Sequence, residues 1–600
     1  MKTEKGEYLA AKVELPAVSL AALLREKLPA LIAALPFPKN MCWNETKFRF
    51  SRPLRWLVVL HDAEVIPVQL AGLTAGRESR GHRQHAPGAV AIRRAAEYCA
   101  ALHPAFVIPD AAERRKLIED GARAAAPAGG TVALDPRLLD EVADLVEFPF
   151  PFRADFDRRY LAIPAPVLVG AMKKHQRYFP VYAGGDARTP GAELSPCFIG
   201  VANGDGAKYD MDAVREGNNR VLRARFDDAE FFYKTDTARP LAEYVPELDR
   251  IMYEKTLGSI GDRVRRIDAL VAELVRGGGY PAAAVQQAHA VARVCKADLA
   301  TKMVFEFTEL QGIIGSEYAA RENYDQPVVQ GIAQHYWPTG PDCPVPAEMP
   351  GALVAMADKF DAIAGAFATG KETTGSADPY ALRRAALGII RILSEQYGQA
   401  RLGVPVREVF AAALKLVADK VKFEPEAVLA KIMAFFAGRL ENHLRDNPAY
   451  TQAELAAVLA VAWDTLDEVL AKLEALAALR AGGLQDDIAA LAAALKRAHN
   501  ITRGVENIAA AADAALCREA AEKELLAAAL AVEKKLQLLL EQRQYAPALR
   551  ELVALRPALD KFFTDVLVMC PEVELQRNRL ALARQVAGLF LRVADFTKLG

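Results

Sequence analysis

Apolar positions recur along most of the chain at helical spacing. Leu299, Met303, Phe307, Leu310 and Ile314 follow one another at steps of four, four, three and four, which predicts one long amphipathic helix with Asp298, Lys302, Glu306 and Glu309 off the stripe. Helices are predicted as well for SLAALLREKLPALIAAL, ended by Pro36 and Pro38, for DAAERRKLIEDGARAAA, for LVAMADKFDAIAGAFATG, and for the Ala- and Leu-rich runs between 396 and 480. The texture differs between Met41 and about Thr237. There FRFSRPLRWLVVLHDAEVIPVQLAG alternates apolar and polar positions, and LVEFPFPFRADFDRRYLAIPAPVLVGAMKKHQRYFPVY sets prolines between short apolar runs, the pattern of strands and turns. From about Pro240 the chain reads as nearly all helix, broken at Gly277, Gly278 and Gly279.

After Gly482 and Gly483 a last helical unit runs to the end. On LKRAHNITRGVENIA, Ile501, Val505 and Ile508 share one face at 100° per residue, and Asn500, Arg503 and Asn507 share another. On LQRNRLALARQVAGLFLRVADF the apolar stripe is Leu575, Leu582, Val586, Leu589 and Val593, with Arg577 and Arg584 projecting together on the opposite side and Asn578 beside them. The fold class is therefore multidomain α+β. A mixed α/β body is expected over 1–240, an all-helical domain over 241–395, a helical linker over 396–482 and a helical domain over 483–600.

Composition narrows the function classes. Six hundred residues with 52% apolar and 25% charged describe a globular protein of several domains. A net charge of −1 means that any nucleic-acid surface has to be a local basic patch. The seven cysteines are scattered with no CxxC pair, which argues for reduced thiols and against a zinc knuckle or disulfide framework. No run of about 18 uncharged apolar residues predicts a membrane span. The opening MKTEKGEYLAAK has no apolar core to read as a signal peptide. Cytoplasmic location is expected.

Two stretches carry basic groups in a pattern suited to RNA. SRGHRQHAPG at 79–88 is either a solvated turn or a phosphate-contacting loop through Arg83. MKKHQRYFPVY sets Lys173, Lys174, His175 and Arg177 beside Tyr178 and Phe179; basic groups next to stacking surfaces suit unpaired RNA, and a hairpin with a basic solvent face is the alternative. Arg215, Arg220, Arg223 and Arg225 fall on one predicted helix, where they either read phosphates or pair with Asp227, Asp228 and Glu230. CFIGVANGDGAKYD has glycines and a lysine, but not the spacing of a phosphate loop. No catalytic residue is assigned.

Several phrases are similar to one family. KADL at 296–299, EFTELQG at 306–312, HYWP at 335–338, ADKFD at 357–361 and TGSADPYALRRAALGIIRI at 374–392 resemble the β subunit of the bacterial heteromeric glycyl-tRNA synthetase, as does VLRARFDDAEFFY. RPALDKFFTDVLVM and NRLALARQV resemble the helical anticodon-binding domain of several tRNA synthetases. The resemblance implies ATP-driven glycylation of tRNA(Gly), with ATP and Mg used through a separate α subunit and none bound to this chain, and an α2β2 tetramer. In the body, Arg83, Lys173, Lys174, His175 and Arg177 would be tRNA contacts; in the anticodon-binding domain they would be Asn500, Arg503, Asn507, Arg577, Asn578 and Arg584.

The resemblance also implies that the chain is short at its N-terminus and that the 241–395 domain is HD-like. An active HD site needs a His-Asp pair among its metal ligands. The matching position here reads Ala297–Asp298, leaving Asp298, Asp358, His289 and His335 as loose candidates, so no metal is expected. The rival readings are a metal-dependent HD-type phosphohydrolase and a pure assembly scaffold.

Overall fold

The computed structural model describes residues 2–3, 6–7, 19–186, 189, 191–276, 279–372, 378–396 and 403–599. Gly277 and Gly278, and residues 374–377 of the phrase that opens TGSAD, lie outside the described residues. Two compact units follow each other along the chain, Met1–Tyr233 and Lys234–Gly600.

In the first unit, helix α1 (Leu20–Ala33) is followed by short two-residue ladders, such as Met41–Cys42 with Arg49–Phe50. Helix α2 (Ala111–Ala125) and helix α3 (Pro136–Leu145) start at Asp110 and Asp135, whose carboxylates accept the amides of Ala112 and Arg137. They cover one face of an antiparallel sheet of β1 (Gly130–Val132), β2 (Pro149–Asp155), β3 (Phe179–Ala183) and β4 (Glu193–Asn203), in the order β1-β3-β4-β2. Alternate residues make the core: Phe179 and Val181 on β3, Cys197 and Ile199 on β4, against Ile118, Leu139 and Val142 of the helices. Phe152 lies opposite Gly200 in the register, and a Cβ there would stand 2.6 Å from its ring, so the glycine makes room for the aromatic. Helix α4 (Met211–Asp236) follows, its last three residues belonging to the second unit.

The second unit is built around a helix buried on all sides. Its early helices are α5 (Ile260–Leu274), α6 (Ala282–Val294), α7 (Ile313–Arg321) and α8 (Gln326–Gln334), followed by α9 (Met349–Ala368) and α10 (Leu382–Arg391). Then come α11 (Val406–Lys415), α12 (Pro425–Leu444), α13 (Gln452–Leu459) and α14 (Leu466–Ala481). Every residue of α9 from Pro350 to Asp361 is buried, as expected of LVAMADKFDAIAGAFA, which is apolar almost all round. Helices α5, α6, α8, α10, α11 and α12 all pack on it.

The predicted long helix over 299–314 is broken. Lys302–Glu306 forms one short helix capped by Thr301, the chain turns at Phe307–Leu310, and α7 begins after Gly312, which has φ +80°. Four of the five stripe residues, Met303, Phe307, Leu310 and Ile314, are buried, and Leu299 is half-buried. The break comes from Asp298, whose carboxylate accepts the amides of Gly312 at 2.5 Å and Gly315 at 3.3 Å and so starts a new helix there.

The chain ends in α15 (Gln485–Thr502), α16 (Ala520–Glu541), α17 (Tyr545–Val553), α18 (Arg556–Asp565) and α19 (Val573–Leu591). Helices α17, α18 and α19 pack on α16, and α15 packs on α19. Leu575, Leu582, Val586, Leu589 and Val593 are buried, as their spacing predicts. Among the described residues no helix is long and apolar enough to cross a membrane.

Candidate nucleic-acid interface

In the C-terminal helices the six expected contact residues divide into two sets. The predicted continuous helix through Asn507 stops at Thr502, so Asn500, Arg503 and Asn507 do not share a helix face. Gly504 at φ +76° and Asn507 at φ +60° turn the chain out of the helix, and the Thr502 hydroxyl donates back to the Ala498 carbonyl at 2.8 Å. All three residues are exposed around this helix end, and so is Arg577 on α19.

Asn578 and Arg584 hold the loop instead. Asn578 is 7% exposed. Its Oδ1 accepts the Asp513 amide at 2.7 Å and its Nδ2 donates to the Asp513 carbonyl at 3.0 Å, which corrects its placement on the open surface. A guanidinium nitrogen of Arg584 donates to the carbonyls of Ile508 and Ala509, at 2.8 and 2.9 Å, and Gln585 accepts the Ala512 amide. One side of α19 thus fixes residues 508–513 just after Asn507. Sequence reading missed Arg579, which is buried, paired with Glu522 and hydrogen-bonded to the Leu567 carbonyl at 2.9 Å. It anchors the turn that carries the exposed Leu567 and Met569. The sequence signal was its helical spacing on the apolar stripe, four residues after Leu575 and three before Leu582.

In the first unit the basic turn is tied down. Lys173 donates to Asp135 at 2.5 Å, and Arg177, at φ +58°, donates to Glu141 at 2.9 Å and to the Lys174 carbonyl. Tyr178 and Phe179 are buried, with Tyr178 stacked on Phe198 at 4.2 Å between centroids, so they offer no stacking surface to RNA. The turn lies on an irregular helical segment, Ala171–Gln176, rather than in a hairpin. Lys174 is exposed and His175 half-buried. Desolvated tyrosine is expected where apolar neighbours are dense, and burial pushes the Tyr178 hydroxyl up to about 12. The 79–88 loop is built more tightly than a solvated turn. His82 is buried, and its Nδ1 accepts the amides of Gln84 and His85, while His85 stacks on His82 and packs against Tyr209. That folding leaves Arg83 exposed at the tip. On α4, Arg215 pairs with Asp212 and donates to the Arg153 carbonyl, and Arg223 lies 3.7 Å from Glu216.

The candidate HD position is a closed charge network. Arg266 grips Asp361 through two hydrogen bonds, at 2.5 and 3.1 Å. Arg263 and Lys296 meet Asp358 at 3.0 and 3.2 Å, and Lys296 lies 3.7 Å over the Tyr336 ring. Lys359 donates to the carbonyls of Tyr336 and Trp337. Buried cations beside Asp358 hold its carboxyl well below the ordinary range, even against desolvation. His335 is buried with its Nδ1 on the Ile332 carbonyl, and His289 pairs with Asp268. Asp358 is thus paired with cations and Asp298 Oδ2 with the amides of Gly312 and Gly315, while Asp298 Oδ1 and His335 Nε2 are buried without a hydrogen-bond partner among the described residues. Among the described residues no group of three or more His, Cys, Asp or Glu side chains is placed to hold a metal ion.

Burial pushes the Asp298 carboxyl up to about 6, against the pull of the Gly312 amide. Its ordinary value is ~3.9. The folded chain therefore binds this proton more tightly than the unfolded chain does. The stability it lends is full at low pH and is lost as pH rises towards about 6, a change of about 3 kcal/mol. Asp298→Asn has no such proton. Between pH 4 and pH 7 its stability relative to the parent should rise by about 2–3 kcal/mol in urea unfolding; a constant difference would contradict the assignment.

Comparison with known families agrees over almost the whole chain. The family model described as glycyl-tRNA synthetase beta subunit matches residues 1–460, and the DALR anticodon binding domain model matches residues 491–592. A glycine–tRNA ligase beta subunit of Nitratidesulfovibrio vulgaris (strain Miyazaki F) is 40% identical over 609 residues, covering 99% of this chain and 84% of the relative. Proteins of the same name from Geotalea daltonii and Moorella thermoacetica are 39% and 38% identical, each over 599 residues and 84% of the relative, and over 100% and 99% of this chain.

Proposed function

The chain belongs to the glycyl-tRNA synthetase beta-subunit family, and on that premise we propose that it binds tRNA(Gly) and positions it for ATP-dependent glycylation at the active site of an alpha subunit. The observation that carries this reading is the succession of the two family matches, a beta-subunit region followed by an anticodon-binding domain. The exposed Asn500, Arg503, Asn507 and Arg577 support it, because an anticodon presents unstacked bases and phosphates that amide and guanidinium groups recognise. In this reading those four residues contact the anticodon arm, and Asn578 and Arg584 hold the loop that presents Asn507.

The division of labour follows the domain boundaries expected from sequence. The body (1–240) and the HD-like region (241–395) guide the acceptor arm, with the exposed Arg83 and Lys174 as its contacts. The linker (396–482) spaces them from the anticodon-binding domain (483–600). ATP and Mg act at the alpha subunit, the assembly is α2β2, and the work is done in the cytoplasm. Binding the tRNA at both ends lowers the entropic cost of bringing its flexible 3′ end to the activated glycine.

Filter binding of tRNA(Gly) to the full chain tests the reading. Affinity should fall steeply with salt, and a tRNA(Gly) with a replaced anticodon base should bind about tenfold more weakly. Equal affinity for every anticodon would overturn the assignment of the C-terminal helices.

A further inference from the structure

The second unit contains a cavity of about 950 Å³ beside the closed charge network. Its size is that of a site for a ligand much larger than glycine; small-molecule clefts run to ~300–1,000 Å³. The floor is formed by Arg263, Asp358 and Lys359, which are largely buried, and the rim by the exposed Tyr380 and Arg384. Tyr253, Tyr336 and Trp337 add aromatic wall. Four cationic side chains line it (Arg263, Lys359, Lys371 and Arg384) against three carboxylates (Glu254, Glu309 and Asp358), and Lys371 is paired with Glu254 at 2.6 Å.

The pairing inside the cavity differs from floor to rim. At the floor Asp358 is held by two cations, and Lys359 is spent on backbone carbonyls. At the rim Arg384 is 59% exposed and lies 3.6 Å from Asp378, a loose pair that solvent weakens. Its guanidinium is therefore the group best able to turn to an incoming phosphate by a forked hydrogen bond. Tyr380, 53% exposed on the same rim, and Trp337 offer faces on which a base can stack. Gln311 supplies an amide that can read a base edge.

We propose that this cavity binds a single unpaired nucleotide, its base stacked among the aromatic walls and its phosphate held by Arg384 at the rim. The nucleotide is either free in solution or the unpaired end of an RNA; both present the same base and phosphate. None of the residues placed at the anticodon takes part in this site.

Calorimetric titration of the full chain with 5′-AMP, adenosine, inorganic phosphate and the RNA trinucleotide CCA tests it, with tryptophan fluorescence, to which Trp337 contributes with three other tryptophans, as a second readout. The expected result is saturable binding of 5′-AMP, with adenosine and phosphate each weaker by about tenfold or more. Arg384→Ala should weaken 5′-AMP by about tenfold and leave adenosine unchanged. Tyr380→Ala should weaken both nucleotide and nucleoside, and Arg577→Ala should change neither. CCA binding tighter than 5′-AMP, with 5′-AMP competing, identifies an RNA end as the source; the reverse order identifies a free nucleotide. Absence of binding by both 5′-AMP and CCA, or binding that Arg384→Ala and Tyr380→Ala leave intact in variants melting like the parent, overturns the proposal. A chain that loses tRNA through Arg577→Ala yet keeps 5′-AMP would separate this site from the anticodon reading.

Discussion

Asp361→Ala is expected to destabilise the helical unit by about 3–5 kcal/mol. Asp361 is 1% exposed on the central helix α9 and receives both guanidinium bonds of Arg266, itself 5% exposed. Removing the carboxylate leaves a desolvated guanidinium whose remaining hydrogen-bond partner among the described residues is the Leu257 carbonyl, at 3.2 Å, and it also takes away the 3.6 Å pair with Arg263. The pair as such adds far less, because two charges taken out of water offset most of their own attraction. The double substitution Arg266→Met with Asp361→Leu should therefore recover most of the loss. Urea unfolding of the two single variants and the double variant measures this. A single-variant loss under about 1 kcal/mol would mean that the pair is solvated in the folded chain.

The second large effect is on RNA. Arg503→Ala with Arg577→Ala should lower tRNA(Gly) affinity by about 50- to 100-fold and reduce the salt slope by about two, roughly one for each phosphate left without its arginine. Each single variant should give about a tenfold loss and a slope change near one, with the melting temperature unchanged, because both side chains are exposed. Asn578→Ala should behave differently. Its amide is buried against Asp513, so it should lower stability and affinity together, since the loop it holds loosens. If Arg577→Ala left both affinity and salt slope untouched, Arg577 would not be a phosphate ligand.

Much of the fold could be read from residue order. The apolar stripe of the closing helix is buried as its spacing requires, and so is that of the 299–314 segment except at its first member, the half-buried Leu299. The central helix is apolar apart from Asp358, Lys359 and Asp361 and is surrounded by other helices. What periodicity could not show was where backbone continuity fails. Asp298 looks like a solvated charge off the stripe, yet it caps α7 from 14 residues away. Gly504 and Asn507 sit on helical spacing but adopt left-handed backbone, so three polar residues assigned to one face end up around a helix terminus.

The site was legible to a lesser degree, for a related reason. A run such as MKKHQRYF states which groups are near each other in sequence, and says nothing about Asp135 and Glu141 on a neighbouring helix that claim Lys173 and Arg177. Tyr178 and Phe179 could equally stack on bases or fill a core; the sheet decides for the core. Arg579 and Arg577 are two residues apart on α19, and only packing separates the buried one, paired with Glu522, from the exposed one. The family likeness was carried by phrases spread over most of the chain, and it is the part of the functional reading that the comparisons bear out most directly.

The central claim is that this chain handles tRNA while the chemistry takes place on an alpha subunit. The most direct measurement is glycylation of tRNA(Gly) by this chain alone, by a matched alpha subunit alone, and by the two mixed. The expected result is strong activity only in the mixture, with this chain alone binding tRNA in a salt-sensitive manner. Glycylation by the alpha subunit alone at the rate of the mixture would contradict the account.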